Sequence, residues 1–315
     1  MQAMLLNAFA NPGIFELKDV DKPVPGPGQV LIRNMAAGIN PIDWKTSTGG
    51  GPASLQGDFP LILGWECAGI IEAVGEQVKA FQVSDQVLGF LNFPKPARCL
   101  AEYVVADIAD IAPKPDAISF LEAGAIPLAG LTAWQALAMG GHNLTGQRVL
   151  ILAGAGGVGH LALQIAKLQG AEYVAATAST QRHSVLKSLG ADACYNYHDS
   201  QAMLGIEQFD LIIDGVGGDA GLTHLAWLKA DGLWVTLPSV TAEQVISKAK
   251  QQGKYAQGMR AKPNGNQLRA LVNALTRGQI KVLIERSFTL DQVNAAMDLS
   301  RSGHVQGKIV IEFSY

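Results

Sequence analysis

The chain has 315 residues, of which 48% are hydrophobic and 16% are charged. This composition excludes a disordered chain, and the length is enough for about two domains. The formal net charge of −3 gives no general attraction to nucleic acid or anionic membranes, so we expect small-molecule partners, with no nucleic-acid or membrane partner.

The start of the chain and its cysteines predict a cytoplasmic protein. The first ten residues lack the basic segment and apolar core of a secretory signal, and no apolar run is long enough to cross a bilayer. Cys67, Cys99 and Cys194 are too far apart for a disulfide framework or a Cys-x-x-Cys zinc lobe, so we expect all three to be buried apolar residues.

The first third of the chain predicts short strands broken by Pro and Gly, as in an antiparallel β barrel or sandwich. The predicted strands are 15–17, 30–34, 69–74, 86–88 and 102–105. Near Pro113 the pattern changes, and two helices are predicted over 120–126 and 131–138. A second domain begins here, and we expect domains of 1–121 with 272–315, and of 122–271.

Beyond this point strands alternate with helices, which predicts a doubly wound parallel sheet. The predicted elements are strands 148–152, 173–177, 193–196, 209–214 and 233–237, with helices 159–168, 181–189 and 220–228. A helix over 267–277, an apolar run over 280–284, a helix over 290–299 and a strand over 308–313 then return the tail to the first domain.

A glycine-rich turn lies between the predicted strand 148–152 and helix 159–168. Gly154 and Gly156 allow a tight turn that approaches a pyrophosphate closely, and Gly159 lets the helix pack on the strand. The helix N-terminus favours phosphate. The motif predicts a dinucleotide site made by Gly154, Ala155, Gly156, Gly157, Val158 and Gly159.

Other predicted cofactor contacts follow the carboxyl ends of strands, where ligands of such sheets bind. They are Asp214, Val216, Leu237 and Pro238, although ordinary turn chemistry also explains these residues. Tyr197, at the end of the third strand of this sheet, is expected to stack near the adenine or bind phosphate, with core packing as the alternative.

The residues after strand 173–177 predict NADP(H). A NAD-preferring site carries an acidic residue near this strand end, but no Asp or Glu occurs between Tyr173 and Ala191. Hydroxyls and cations follow instead and suit a 2′-phosphate, although the cations also fit a solvated helix face. The predicted contacts are Thr177, Ser179, Thr180 and Arg182, with His183 as an alternative countercharge.

Three local segments, together with the order of barrel, dinucleotide domain and returning tail, resemble the medium-chain dehydrogenase/reductase superfamily. They are Gly-Trp-Glu-Cys-Ala-Gly at 64–69, Pro-Leu-Ala-Gly-Leu-Thr-Ala-Trp at 127–134 and Gly-Lys-Ile-Val at 307–310. The resemblance implies an α/β fold with a Rossmann-type doubly wound parallel sheet and a GroES-like β-barrel domain. It also implies a homodimer through an edge strand, and a cofactor contact at Thr132, where helix capping is the alternative.

The chain departs from the zinc alcohol dehydrogenases of that superfamily at both catalytic-metal ligands. Asn40 stands where they have Cys, and Trp65 stands where they have His. Neither residue type is a zinc ligand, so we expect no metal. The segment Asn-Pro-Ile-Asp-Trp-Lys at 40–45 instead resembles the zinc-free branch of quinone oxidoreductases and enone reductases, some members of which have Tyr where this chain has Lys45.

Candidate catalytic residues lie in the same segment. Asn40 can donate and accept hydrogen bonds to the nicotinamide ribose or a substrate carbonyl, unless it is only a turn residue before Pro41. Lys45 stabilises developing negative charge or is solvated, and Asp43 holds the loop or pairs with Lys45. Trp65 and Phe93 line an apolar substrate pocket or belong to the core.

These features predict an NADPH-dependent, zinc-independent oxidoreductase that reduces quinones or α,β-unsaturated carbonyls by hydride transfer. Such acceptors are already polarised, so positioning can replace a Lewis acid. The alternatives are a zinc-type alcohol dehydrogenase with atypical ligands, or a non-catalytic NADPH-binding sensor or structural protein.

Overall fold

A computed structural model describes residues 1–199 and 208–315, which form two compact units. The first unit comprises Met1–Leu131, Lys262–Gly278 and Val282–Tyr315, and the second comprises Thr132–Ala261 and Gln279–Lys281. These bounds differ from the domain boundaries expected at 121/122 and 271/272, which stay a prediction for the functional domains.

The N-terminal part of the chain contributes most strands of the first unit. Each of the five runs predicted from branched residues is a strand, and the structure extends most of them. The elements are β1 (Gln2–Leu6), β2 (Phe15–Asp19), β3 (Gln29–Ile39), α1 (Pro41–Ser47), β4 (Glu66–Val74), β5 (Gln86–Phe90), β6 (Tyr103–Asp107), β7 (Ile111–Pro113), α2 (Phe120–Ala125) and α3 (Pro127–Ala138).

The second unit contains a six-stranded parallel sheet. Its elements are β8 (Arg148–Leu152), α4 (Gly159–Leu168), β9 (Tyr173–Thr177), α5 (His183–Ser188), β10 (Ala193–Tyr195), β11 (Phe209–Asp214), α6 (Gly218–Leu222), β12 (Leu228–Thr236), α7 (Ala242–Gln251) and β13 (Tyr255–Gly258). The strand order is β10-β9-β8-β11-β12-β13, so the order reverses between β8 and β11. Ligands of doubly wound sheets bind at the carboxyl ends of strands at this reversal.

The chain then returns to the first unit through α8 (Gly265–Thr276), β14 (Ile284–Thr289), α9 (Val293–Arg301) and β15 (Lys308–Glu312). β15 pairs antiparallel with β3 and parallel with β14, in a sheet of order β14-β15-β3-β4-β5-β7 with β6 also on β3. Because Ile309 lies opposite Ile39, this pairing brings Lys308 beside the end of β3.

Apolar strand faces form the cores of the two units. Trp234, Phe209 and Leu150 anchor the core of the second unit, and all three side chains are fully buried. In the first unit, Ala36 of β3 packs with Ala125 and Val310, so a small-residue contact joins β3, α2 and β15.

The structure corrects several predicted elements. α1, α7 and β13 were not predicted, and the tail strand β14 begins only at Ile284, the last residue of the expected apolar run. The helix predicted over 220–228 is instead the short α6 and a separate 3-10 turn, and β12 begins at Leu228, five residues before the predicted strand. Gly217, which precedes α6, and Gly218, its first residue, have φ angles of 71° and 57°, a conformation that favours glycine.

Cysteine burial and membrane-spanning potential complete the description. Cys67 and Cys99 are buried, but Cys194 is only partly buried, so the expectation of three buried cysteines is wrong for Cys194. Within the described residues, no helix combines the length and apolar character needed to span a bilayer.

Candidate functional site

The predicted glycine turn joins β8 to α4 in the second unit, which confirms its strand–turn–helix context. Gly154 N–H donates to the Thr177 carbonyl at 2.9 Å, and Gly156 N–H donates to the Ala153 carbonyl at 3.0 Å. Ala153 has a φ of 54°, a left-handed conformation that is strained for a non-glycine residue. Its N–H donates to Thr177 Oγ1 at 3.1 Å, so the hydroxyl braces the turn.

The three glycines of the motif differ in the space available for a Cβ atom. A Cβ atom on Gly154 would lie 2.6 Å from Ala176 Cβ on β9. One on Gly159 would collide with the Ala153 carbonyl oxygen and lie 2.7 Å from Gly154 Cα. A Cβ on Gly156 would meet only the Ala153 oxygen, at 3.3 Å. Gly154 and Gly159 are therefore required by packing, whereas the space beside Gly156 is largely open.

The residues predicted to bind a 2′-phosphate lie at and after the end of β9. Thr177 is the last residue of the strand, Ser179 precedes a 3-10 turn, and Thr180 and Arg182 lie in that turn. Ser179 and Arg182 are half-buried and Thr180 is exposed, with its Oγ1 accepting a hydrogen bond from Asn196 at 2.9 Å. His183 instead contacts the Ala178 carbonyl through Nε2, at 3.1 Å. The turn therefore presents hydroxyls and a guanidinium at a strand end.

Asp192, the first acidic residue after this turn, does not cancel the positive charge of the turn. Asp192 accepts a hydrogen bond from Lys167 Nζ at 2.5 Å and another from Val174 N–H at 2.7 Å. Its carboxylate is thus paired with a lysine and tied to β9.

Asp214 is a brace for its loop and not an open ligand group. Its side chain is fully buried; Oδ1 accepts hydrogen bonds from Val216 N–H at 2.9 Å and Gly217 N–H at 2.8 Å, and Oδ2 accepts one from Trp234 Nε1 at 3.1 Å. Both side-chain oxygens are thus bonded within the protein, which fits the turn chemistry given as the alternative. A cofactor contact at Asp214 stays a prediction. The braced loop leaves Val216 42% exposed.

The remaining predicted contacts of the second unit differ in exposure. Leu237 and Pro238 are half-buried and directly follow β12, where Leu237 N–H donates to the Asp214 carbonyl at 2.9 Å. Tyr197 is exposed and lies two residues beyond β10, with its ring tilted against that of His198 at a centre distance of 4.2 Å. It therefore does not end the strand as expected and is not a core residue. Thr132 lies inside α3 and is 9% exposed, so it does not cap the helix.

Asn40 belongs to a buried polar group in the first unit that we call the Asn40 cluster: Asn40, Asp43, Glu66 and Lys308. Asn40 Nδ2 donates to Glu66 Oε1 at 2.6 Å, and Lys308 Nζ donates to Asn40 Oδ1 at 2.5 Å and to Glu66 Oε1 at 2.8 Å. Asp43 Oδ2 accepts a hydrogen bond from Asn40 N–H at 2.7 Å. All four side chains are at most 4% exposed.

Sequence reasoning missed two members of this cluster. Glu66 and Lys308 both lie in segments that carry the family resemblance, the Gly-Trp-Glu and Gly-Lys-Ile-Val segments, and that is the only signal that could have found them. The backbone also makes room for Glu66, because a Cβ on Gly38 would collide with Glu66 Oε1. Glu66 Oε2 accepts a further hydrogen bond from Leu128 N–H at 2.6 Å.

Asp43 holds the start of α1, as one of its two predicted roles proposed, and it does not pair with Lys45. Burial raises the pKa of Asp43 to about 7, and its Oδ1 has no hydrogen-bond partner among the described residues. Lys45 is half-buried with Nζ 5.5 Å from the centre of the Trp44 ring, and no ion pair in the described chain joins it to Asp43. Burial lowers the pKa of Lys45.

Trp65 is a core residue and offers no surface to a substrate. Its side chain is fully buried, and Nε1 donates to the Lys95 carbonyl at 2.8 Å. Phe93 is half-buried and packs edge-on against Trp65, with ring centres 5.6 Å apart. The expectation that Trp65 lines a pocket is therefore wrong, whereas the same role for Phe93 stays a prediction.

The residues at the zinc-ligand positions of the related alcohol dehydrogenases do not fit a metal ion. Both polar atoms of the Asn40 side chain already have hydrogen-bond partners. The partner of Oδ1 is the Lys308 ammonium, which is positively charged and cannot accept a hydrogen bond. The Trp65 indole supplies no lone pair for a metal. Across residues 1–199 and 208–315, no group of three or more His, Cys, Asp or Glu side chains is arranged to hold one.

Comparison with known proteins agrees with this architecture over the whole chain. Residues 26–116 match the alcohol dehydrogenase GroES-like domain family, and residues 189–311 match the zinc-binding dehydrogenase family. A 2-methylene-furan-3-one reductase of Solanum lycopersicum is 36% identical over 90% of this chain and 71% of its own length. The chloroplast envelope quinone oxidoreductase homolog of Arabidopsis thaliana is 30% identical over 99% of this chain and 98% of its own.

Among solved structures, the quinone oxidoreductase from Coxiella burnetii has a TM-score of 0.94 and 39% sequence identity, covering 100% of this chain and 99% of its own. The fold is therefore the expected one, a Rossmann-type parallel sheet with a GroES-like domain. Members of families with this pair of domains bind nicotinamide cofactors. The chain belongs to the medium-chain dehydrogenase/reductase superfamily, in its quinone oxidoreductase-like branch, and is an oxidoreductase.

Proposed function

We propose that this chain is an NADPH-dependent, zinc-independent reductase of quinones or α,β-unsaturated carbonyls. The observation that carries the proposal is the Asn40 cluster, in which an amide is bonded to a buried ammonium and a buried carboxylate at a position where zinc enzymes have a thiolate. Such a site offers a hydrogen-bond donor and no Lewis acid. It suits an acceptor that is already polarised.

The names of the relatives support the same class of acceptor. One is a reductase of 2-methylene-furan-3-one, and others are quinone oxidoreductases. In both substrate classes a carbonyl oxygen gains negative charge when hydride adds to a conjugated carbon. A donor such as an amide N–H stabilises that charge.

The glycine turn and the end of β9 would hold the cofactor. The N-terminus of α4 favours the pyrophosphate, and Gly156 lets the backbone approach it. Ser179 and Thr180 would donate hydrogen bonds to a 2′-phosphate, and Arg182 would balance its charge. When bound, NADPH supplies the hydride.

Asn40 is the residue to which we assign the hydrogen bond to the acceptor's carbonyl oxygen. Its amide donates a hydrogen bond to that oxygen as negative charge develops. One proton, supplied by solvent or a side chain, then neutralises the anion at the α-carbon of an enone or at the oxyanion of a quinone. Lys45, whose ammonium is half-buried, is proposed to add positive charge that favours the same step.

The test is an assay of the purified full chain with NADPH and NADH against a panel of quinones, enals, enones and simple alcohols. We expect oxidation of NADPH by quinones or enones, unchanged after dialysis against a chelator. Stoichiometric zinc with activity lost to the chelator would favour a zinc-type alcohol dehydrogenase. Tight NADPH binding with no turnover of any acceptor would favour a non-catalytic sensor or structural protein.

The nucleotide preference has a matched pair of variants. Arg182→Gln should raise the KM for NADPH about 10–100-fold, the effect of losing a charge-assisted hydrogen bond, and leave the KM for NADH unchanged. Lys187→Gln, on the exposed side of α5, should change neither constant. Equal effects of Arg182→Gln on both nucleotides would reject the 2′-phosphate contact.

Homodimer formation and a cytoplasmic location are parts of the same proposal. β13 is the last strand of its sheet and pairs only with β12 among the described strands, and Tyr255 on it is 57% exposed. An unpaired strand edge is a template for a second copy. Tyr255→Lys should therefore shift the sedimentation coefficient from dimer to monomer.

A further inference from the structure

The Lys308–Glu66 pair differs from the other ion pairs of the described residues in its burial. Lys308 is 2% exposed and Glu66 is fully buried, whereas the side chains of the remaining pairs are 29–75% exposed. Burying two charges is costly, and such a pair is weak evidence for stability alone. Its geometry instead indicates what it does to its neighbour, Asn40.

The hydrogen-bonding capacity of Lys308 is fully used. Its Nζ donates to the Ile39 carbonyl at 3.2 Å, to Asn40 Oδ1 at 2.5 Å and to Glu66 Oε1 at 2.8 Å. An ammonium has three donors and no acceptor. Lys308 therefore has no hydrogen left for a substrate, and its role is to position other groups.

The chemistry of the two partners leaves one orientation for the Asn40 amide. Lys308 can only donate and the Glu66 carboxylate can only accept, so Oδ1 must face the lysine and Nδ2 the glutamate. A flipped amide would place its NH2 group against the ammonium and its oxygen against the carboxylate. The usual ambiguity between amide oxygen and nitrogen does not arise at this residue.

The main chain of Asn40 is also fixed. Its N–H donates to Asp43 Oδ2 at 2.7 Å, and α1 begins at Pro41, whose ring restricts the backbone there. One Nδ2 hydrogen is bonded to Glu66, and the second has no acceptor among the residues that the structure describes. The cation on Oδ1 also polarises the amide, which makes this remaining N–H a stronger donor.

We propose that Lys308 and Glu66 are positioning residues that lock the Asn40 carboxamide in one orientation, so that its second Nδ2 hydrogen is the donor offered to the acceptor's carbonyl oxygen. This inference rests on the proposed reductase function for the identity of the acceptor. The lock itself is a property of the protein alone. It also restricts the substrate class, because a donor-only contact favours an oxygen that becomes negative during reduction.

The first test observes the lock without turnover. In protein labelled with ¹⁵N at asparagine, the Asn40 side-chain NH2 pair is identified by its loss in Asn40→Asp. We expect one hydrogen strongly downfield, from its bond to the carboxylate, and the other near the usual position. Two ordinary, rapidly exchanging resonances would overturn the proposal, whatever the activity of the protein.

The second test removes both charges together, because a single substitution leaves a buried unpaired charge. Lys308→Met with Glu66→Gln should keep the fold and NADPH affinity, lose the downfield resonance and lower kcat about 10–100-fold with little change in acceptor KM. Lys114→Met is the control, since Lys114 is 7% exposed and bonded to Gln86 and Pro115 elsewhere in the same unit. It should lower the melting temperature and leave kcat unchanged.

The outcomes separate the two proposals. An unchanged kcat in the folded double variant would overturn the positioning role. If the parent protein shows the downfield resonance but none of the acceptors in the panel oxidises NADPH, the reductase function is rejected and the orientation of the Asn40 amide is still supported.

Discussion

The glycine turn and the Asn40 cluster depend on different physical features of their residues. The turn consists of seven consecutive residues, and its conformation depends on the absence of side-chain atoms at Gly154 and Gly159. The cluster joins three separate chain segments through charges and hydrogen bonds in a buried setting. Adding side-chain atoms should therefore destabilise the turn. The cluster should be destabilised when the charge of a side chain is changed and its shape is kept.

The largest expected effect comes from charge in the cluster. Lys308→Met keeps the length of the side chain but leaves Glu66 buried without its cation, and it should lower the free energy of unfolding by about 3–5 kcal/mol. Adding Glu66→Gln should recover most of that loss. Urea unfolding of the single and double variants measures both values, and a single variant as stable as the parent would contradict the argument.

Asp43 gives the cluster a pH dependence. Burial raises the pKa of Asp43 from 3.8 to about 7; Glu66 raises it further, whereas the Asn40 N–H and Lys308 oppose the rise. The folded protein thus holds this proton more tightly than the unfolded chain does. The resulting stabilisation is complete below about pH 4 and is lost as the pH rises through about 7, by up to about 4 kcal/mol.

Asp43→Asn isolates this contribution, because an amide oxygen can still accept the Asn40 N–H bond and has no proton to lose. The difference in stability between variant and parent should grow in favour of the variant between about pH 4 and pH 7. Asp85→Asn is the control, since Asp85 makes the same kind of contact to Gln82 N–H at the surface. A pH-independent difference for Asp43→Asn would show that Asp43 does not titrate in this range.

The glycine turn should respond to volume in two distinct ways. Gly159→Ala places a Cβ against the Ala153 oxygen and Gly154 Cα, and it should cost about 3 kcal/mol of stability. Gly156→Ala meets one atom at 3.3 Å, so the fold should remain within about 1 kcal/mol of the parent while NADPH affinity falls. Unfolding curves and cofactor titration separate the two effects, and equal stability losses would refute the distinction.

This contrast explains how much could be read from the sequence. The turn was predictable because strand, glycines and helix are adjacent, and each glycine reports a local demand for space. Strands β8, β9 and β11 were predicted with their observed bounds for the same reason, since an apolar run bounded by polar residues is a local signal. The superfamily and fold followed from such local patterns.

The Asn40 cluster was only half predictable. Asn40 and Asp43 lie in one short segment, but Lys308 reaches Asn40 across 268 residues of chain, through the pairing of β15 with β3. No periodicity encodes that contact. The roles of Trp65 and Asp214 stayed open between two alternatives, because a sequence gives the type of a side chain but not whether its polar atoms already have partners inside the fold.

Thr177 combines the two features, because its side-chain hydroxyl accepts a hydrogen bond from the glycine turn. Thr177→Val removes the acceptor of the Ala153 N–H bond, which helps to hold Ala153 at its positive φ, and should cost about 1–2 kcal/mol with a several-fold weaker NADPH affinity. Thr236→Val is its matched control, since Thr236 also ends a strand of this sheet but its buried hydroxyl has no partner among the described residues. Removing an unpaired hydroxyl should leave stability unchanged or raise it. If both variants lose the same stability, the hydroxyl of Thr177 does not support the turn, and the space around its glycines alone determines its shape.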